Sequence, residues 1–301
     1  MITVGYSTRE HNPQFIEYLK KSSGFKKIEV IEKINNGEKS LSEVYNEILA
    51  ESTTDIVVLC HDDIYFDTSS WFHKIRTHFE KSDFGILGVA GTTNMSETGR
   101  WWETNRRKDM IGIVNHESGG KKWTSKYSDD LGKSIRQTVI VDGLFIALSK
   151  SRIKHTFDEE FKGFHFYDIA FCFKNHLDGV KVGVITNIRI THKSIGQTNE
   201  EWEKNRVTFS KRFADKLPLL ESIKFSELKF KKNYLNIKLN NKFAFIDNFT
   251  DDKYRENNLF LIMNLVDYNL MNPNLLNYCD NIILKQKFYF SDIYFLQQPP
   301  Y

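Results

Sequence analysis

Two adjacent carboxylates, Asp62 and Asp63, follow His61 at the end of the apolar run Ile56-Val57-Val58-Leu59-Cys60. A continuous run of that kind suits a strand buried on both faces. Neighbouring carboxylates repel each other, and a divalent cation with oxygen ligands removes that repulsion and makes the pair useful. The plainer alternative is a turn in which one aspartate caps a helix beginning near Trp71. Ser69 and Ser70 already stand there as caps, so the expectation is a cation site at the acidic pair. Other chemistry is excluded by spacing. Gly132-Lys133-Ser134 ends like a phosphate loop, but Tyr127 occupies the position where that motif needs its first glycine. Cys60, Cys172 and Cys279 have no metal-ligand spacing and cannot all pair, which suits a reducing compartment.

The elements that would position the pair alternate between strand and helix. Ile2–Tyr6 is a short β-rich run. Asn12-Pro13 supplies a cap and a first-turn proline for a helix carrying Phe15, Ile16 and Leu19 on one face. Ile28–Ile31 reads as a strand. Ser40-Leu41-Ser42-Glu43 has the form of a capping box, with Leu41, Val44, Tyr45, Ile48 and Leu49 at helical spacing. After Ile56–Cys60, Trp71, Ile75 and Phe79 mark a further helix, and Gly85–Ala90 a further strand. This is the pattern of a mostly parallel sheet with helices on its faces, whose ligands sit at the carboxyl ends of the strands.

Composition divides the 301 residues. All 16 glycines lie between Gly5 and Gly196, and four of the five prolines lie after residue 216. The expected organisation is a catalytic domain at 1–215 and a smaller C-terminal appendage at 216–301, the boundary falling near Lys216-Leu217-Pro218. A net charge of +3 does not call for nucleic acid as a partner. No apolar run exceeds five residues, as a transmembrane helix would require, and Met1–Gly5 has none of the marks of a signal peptide. The expected location is cytoplasmic.

In these motifs and their order the sequence resembles the GT-A glycosyltransferases of the family 2-like group. Ile2-Thr3-Val4-Gly5-Tyr6-Ser7-Thr8-Arg9 resembles the first strand and the loop that holds the donor nucleotide. His61-Asp62-Asp63 resembles the DxD metal motif with His in its first position. Val141-Asp142-Gly143-Leu144-Phe145-Ile146-Ala147 is similar to the strand near the donor sugar. Gly163–Asp168 resembles the segment ending in the catalytic carboxylate, and Ile190-Thr191-His192 the late strand whose His completes the metal site. The resemblance covers about residues 1–215. Three positions depart from it: His61 stands for the first aspartate of the DxD motif, the usual Glu-Asp pair is Tyr167-Asp168, and no aspartate follows the second strand, where Glu32 or Glu38 would serve.

The resemblance implies an α/β, GT-A-type fold and a metal-dependent, inverting transfer of a sugar from a nucleotide, UDP above all, to a glycan or lipid-linked acceptor. Asp63 is then a direct ligand of Mn²⁺ or Mg²⁺, Asp62 a ligand or ribose contact, and His192 a later ligand. Ser7, Thr8, Arg9 and Glu32 fall to the donor, as do Asp142 and Gly143, unless the latter two form a β-bulge. Asp168 is the general base, with Phe164, His165, Phe166 and Tyr167 crowding it so as to raise its pKa and offer faces to a sugar. Arg100–Arg136 carries nine basic and five acidic residues with Trp101, Trp102 and Trp123. It reads as a structureless flap, Trp101, Trp102 and Tyr167 lying on the acceptor side. A nucleotidyltransferase would want a glycine in Ser7–His11, which has none; a degenerate transferase that binds carbohydrate or scaffolds an assembly is the other alternative.

In the appendage, Lys224–Lys242 carries six lysines and one acid. It reads most simply as a solvated basic face, and alternatively as a peripheral contact with anionic lipid at the inner membrane face. Leu235–Ile246 alternates as strands do, Asn257–Leu270 suits a helix, and the aromatic tail Phe288–Tyr301 suits packing on the catalytic domain, a homo-oligomer contact or a partner.

Overall fold

The computed structural model describes residues 1–25, 27–104, 109–127, 134–194, 196 and 198–220, together with the backbone of 236–240 and 243–247. The helix expected at Asn257–Leu270 and the tail from Phe288 lie outside the described residues, as do the side chains of the basic stretch Lys224–Lys242. The chain divides into two compact units, one of residues 1–93 and 106–209, the other of 94–105 and 210–301.

The first unit begins with β1 (Thr3–Thr8), α1 (Pro13–Ser22), β2 (Glu29–Ile34), α2 (Leu41–Glu51) and β3 (Ile56–Cys60), in the expected order. Asn12 caps α1 by accepting from Phe15 N–H at 3.0 Å, with Pro13 in the first turn. The Ser40–Glu43 capping box is present, Ser40 N–H donating to Glu43 Oε2 at 2.9 Å. Directly after the acidic pair comes β4 (Ile64–Phe66), a strand too short to leave an alternation signal. In α3 (Trp71–Lys81), Trp71, Phe72, Ile75 and Phe79 are buried as their spacing predicts. Ser70 precedes it in the left-handed region (φ 52°) without a side-chain cap; its N–H is taken by Ser22 O at 3.2 Å. The expected serine cap is therefore absent, because the chain is turned here by packing against the end of α1.

The strands after α3 are β5 (Phe84–Gly88), β6 (Ala90–Thr92), β7 (Asn94–Met95), β8 (Met110–Ser118), β9 (Lys121–Lys126), β10 (Ile135–Thr138), β11 (Ile140–Val141) and β12 (Phe145–Ser149). Then follow α4 (Tyr167–Leu177), β13 (Lys181–Ile185), β14 (Ile190–His192) and α5 (Glu200–Arg212). The central sheet has the order β10-β13-β5-β12-β3-β1-β2. Five of its strands run the same way, and β12 and β10 run against them. β3 and β12 are almost wholly buried, which is why both read as continuous apolar runs. This is the α/β architecture expected.

A second sheet has the order β11-β6-β8-β14-β4 with β9 on β8, and two of its strands, β8 and β9, come from the stretch read as a flap. That reading is corrected: residues 110–126 form a β-hairpin turned by Gly119 and Gly120, both at positive φ (56° and 75°). Two consecutive glycines in that region make the tight turn that hairpins favour. The period-two signal is hidden because β8 is apolar on both faces in its first half, Met110, Ile111, Gly112 and Val114 all being buried.

In the second unit, β7 pairs antiparallel with β15 (Leu219–Leu220), and a 3₁₀ turn spans Trp101–Glu103. The alternation in Leu235–Ile246 becomes the antiparallel pair β16 (Asn236–Asn240) and β17 (Phe243–Asp247). No helix among the described residues is long and apolar enough to cross a membrane.

Candidate active site

The two sheets meet at the carboxyl end of β3, and the site is built from that junction. In the central sheet, Tyr6 of β1 is in register with Glu32 of β2 and with Cys60, the last residue of β3. The chain leaves β3 through His61-Asp62-Asp63 and enters β4, which pairs antiparallel with β14 so that His192 lies opposite Ile64. That register brings a histidine 130 residues away against the acidic pair. His61, Asp63 and His192 place one ligand atom each within 4.8 Å of one another. His192 Nε2 is 3.3 Å from Asp63 Oδ1 and 3.4 Å from His61 Nδ1.

The trio could hold a cation, although His192 Nε2 also lies within hydrogen-bond reach of His61 Nδ1 and, at 3.1 Å, of Ser194 Oγ. Asp63 Oδ1 is sealed from solvent and has no well-oriented donor among the described residues, although His192 stands close. A buried carboxylate oxygen left without a donor is costly, and a cation between it and two imidazole nitrogens removes the cost. The electrostatics agree. Burial works to raise Asp63, but His192, Ser194 and His61 outweigh it and hold the carboxyl at about 2. Burial likewise works to lower His192, yet its contact with Asp63 pushes it above its usual range. His61 is pushed down, first by burial and then by the nearby His192. Protein atoms thus keep one imidazole neutral and the carboxylate ionised.

The other nitrogen of His61 is also fixed. His61 Nε2 shares a hydrogen bond with the Tyr167 hydroxyl at 3.1 Å. Tyr167 is only 3% exposed and packs edge-on against Tyr45 with ring centroids 5.4 Å apart. Its expected place on the acceptor side is corrected: as the first residue of α4 it points into the core, with its hydroxyl on His61. Gly143 makes this possible, because a Cβ there would collide with the Tyr167 hydroxyl and stand 2.9 Å from Asp168 Cβ. Asp142-Gly143 is where the chain passes from β11 in the second sheet to β12 in the central one, so the glycine serves close approach.

Asp168 lies in the first turn of α4 and accepts from Gly143 N–H at 2.7 Å. Burial, and then the charge of Asp142, push its carboxyl up to about 7. Asp142 bears on His61, His192 and Tyr167 as well, which marks it as the common neighbour of the metal-type trio and Asp168. The approach to Asp168 is held by α5. Asn205 Nδ2 donates to Lys162 O at 2.7 Å and His165 O at 3.0 Å. Phe166, at φ 64°, is buried against Trp202 and Phe209.

Glu32, at the end of β2, accepts from Tyr6 Oη at 2.7 Å and Asn12 N–H at 2.9 Å, and contacts His11. Asp62 is not in the trio; its charge acts on Tyr6, Tyr45 and Cys60, and on His61 as well. Ser7, Thr8 and Arg9 continue β1 beyond Tyr6, with Thr8 buried and Arg9 exposed. The expected sites thus sort into a β1–β2 group (Ser7, Thr8, Arg9, Glu32, Asp62) and a junction group (Asp63, Asp142, Gly143, Asp168, His192). Trp101 and Trp102 belong to the second unit, the former 6% and the latter 43% exposed.

Two residues join the junction that sequence reasoning did not assign to it: His61, placed in the motif without a role, and His116, hidden in the segment read as a flap. His116 lies opposite His192 in the parallel β8–β14 pair, with ring centroids 6.2 Å apart.

Fold and site together define an α/β protein whose acid–imidazole cluster stands at the carboxyl ends of its strands. The chain belongs to the glycosyltransferase like family, which matches residues 10–213, more than half of its length. No curated protein matches it. Among solved structures it is similar to GalNAc-T7 with UDP, GalNAc and Mn²⁺ (TM-score 0.44, 9% identity, 70% of this chain and 47% of that one). It is also similar to A197 from STIV (TM-score 0.37, 10% identity, 65% of this chain and 86% of that one). The match therefore spans about half the length of GalNAc-T7.

Proposed function

We propose that this glycosyltransferase is metal-dependent and inverting, and moves a sugar from a UDP donor to a hydroxyl of a glycan or lipid-linked acceptor. The observation that carries this reading is the convergence of His61, Asp63 and His192 beside a carboxylate pushed up to about 7. His61, Asp63 and His192 would hold the cation, and two imidazoles suit Mn²⁺ better than Mg²⁺. When bound there, such a cation neutralises diphosphate charge as the glycosidic bond breaks. Asp62, Glu32 and Ser7–Arg9 supply acceptors, hydroxyls and a cation for ribose and base at the ends of β1 and β2. Asp168 takes the proton of the acceptor hydroxyl as its oxygen bonds to the anomeric carbon and UDP departs from the opposite face. A carboxylate with pKa near 7 is well matched to that task at neutral pH. Asp142 accepts from sugar hydroxyls.

The buried free thiols Cys60 and Cys172 fit action in the cytoplasm, and nucleic acid has no part in the reading. Tyr167 is committed to His61, which leaves Asp168 as the one carboxylate at the start of α4. That observation favours, as second reading, a catalytically silent member that binds carbohydrate. The test separates the two. Calorimetry should show Mn²⁺ raising the affinity for UDP, an effect absent in Asp63→Ala. Slow hydrolysis of a UDP-sugar without acceptor, lost in Asp168→Asn, supports the enzyme; binding without turnover supports the second reading. Equal UDP affinity with EDTA and in Asp63→Ala removes both.

A further inference from the structure

The β8–β9 hairpin carries an imidazole whose circumstances the metal-type trio does not explain. His116 is cross-strand to Trp123, and the two rings stack with centroids 5.0 Å apart and planes 10° from parallel. The stack prevents the imidazole from swinging out to solvent. His116 Nε2 is nevertheless shielded from water and without a hydrogen-bond partner among the described residues. A buried ring nitrogen left unpaired costs on the order of 1–3 kcal/mol, so it calls for a partner the chain does not supply. The hairpin is itself anchored: Asn115 Nδ2 donates to Asp67 Oδ2 at 2.9 Å, and Thr191 Oγ1 to Asp67 Oδ1 at 3.0 Å. His116 is therefore built in place.

Its place along the sheet says what that partner is. The strands run β4, β14, β8, so Asp63 at the entry to β4, His192 and His116 follow one another at successive strand spacings of about 4.8 Å. Tyr6 and Glu32 are paired in β1 and β2 of the central sheet, and Asp62 follows β3. On the nucleotide-sugar reading, a nucleotide held on the β1–β2 side and a cation at the trio would leave His116 next to the group that follows the diphosphate. In a nucleoside diphosphate sugar, the group beyond the diphosphate is the sugar. Asp142 bears on His116 as it does on the trio, so the position has a carboxylate neighbour as well.

We propose that His116 is a donor-sugar contact: its Nε2 hydrogen-bonds a hydroxyl of the transferred pyranose, and Trp123 is the positioning residue that locks the ring for that contact. This rests on the nucleotide-sugar reading above. An imidazole nitrogen suits a hydroxyl because either tautomer finds a match, a lone pair for the O–H or an N–H for the oxygen.

The experiment compares UDP with UDP-glucose, UDP-galactose, UDP-GlcNAc and UDP-GalNAc by calorimetry in the presence of Mn²⁺. The full chain and its His116→Ala, His116→Gln and Trp123→Ala variants are used. In the wild type at least one UDP-sugar should bind more tightly than UDP. His116→Ala should weaken that sugar about tenfold, the scale of one hydrogen bond, and leave UDP unchanged. His116→Gln should recover part of the loss, and Trp123→Ala should reproduce it in smaller degree. Equal losses for UDP and UDP-sugar would assign His116 to the cation or the scaffold and overturn the proposal, as would an unchanged UDP-sugar affinity in a folded His116→Ala. A wild type that binds no UDP with Mn²⁺ overturns the underlying reading as well, and is told apart because it fails before any variant is compared.

Discussion

Replacing Asp168 by asparagine should make the protein more stable while removing its hydrolytic activity. The carboxyl is raised from 3.8 to about 7 by burial and by Asp142. A group whose folded pKa lies above its unfolded value binds its proton more tightly when folded. Stability is therefore highest below pH 4 as far as this group is concerned, and is lost as pH rises through 7. Three pKa units correspond to about 4 kcal/mol. Because Asp168 keeps some contact with solvent, screening trims this to roughly 2 kcal/mol. Asparagine keeps the acceptor for Gly143 N–H and has no charge to bury. Urea unfolding in EDTA at pH 5, 6, 7 and 8 should show the variant gaining on the wild type, most steeply between pH 5 and 7, and reaching about 2 kcal/mol by pH 8. A difference that does not change with pH would mean that Asp168 titrates as an ordinary aspartate, and the case for it as a base matched to neutral pH would go with it.

Other perturbations test separate parts of the site. Mn²⁺ affinity should fall as pH drops from 8 to 6, because His192, raised above its usual range, takes up a proton in that window; Asp63, held at about 2, stays ionised throughout. Titration with Mn²⁺ at several pH values measures it, and a flat profile would exclude His192 as ligand. Gly143→Ala should cost about 1–3 kcal/mol by forcing Tyr167 from its seat, and should weaken Mn²⁺ binding by disturbing His61. Normal Mn²⁺ affinity in that variant would separate Tyr167 from the metal ligands. Ser40→Ala should lower stability by about 1 kcal/mol through loss of the α2 cap, with UDP affinity unchanged.

The first half of the central sheet was legible because its signals are local. Asn12-Pro13 and Ser40–Glu43 begin helices through contacts three residues long, and Ile56–Cys60 announces a buried strand by its own composition. The acidic pair was legible for the same reason. The rest is long-range, and residue patterns alone did not carry it: His192 was reached only through the family resemblance. His192 faces Asp63 only because β14 pairs with β4, a three-residue strand that leaves no pattern of its own. His116 joins them through a parallel pairing of β14 with β8, in a segment whose glycines and charges resemble a loop. Tyr167 was misplaced because an aromatic beside a carboxylate at a helix start reads equally well as a sugar platform or as core. Gly143, whose lack of a side chain admits the Tyr167 hydroxyl, decides for the core.

Asn205, Trp202 and Phe209 grip the turn before Asp168 from a helix that follows every strand of the central sheet. A truncated protein ending after His192 would keep all the groups named for cation and proton, yet lose the latch that keeps the base at its post. The shortest working fragment should therefore extend through α5.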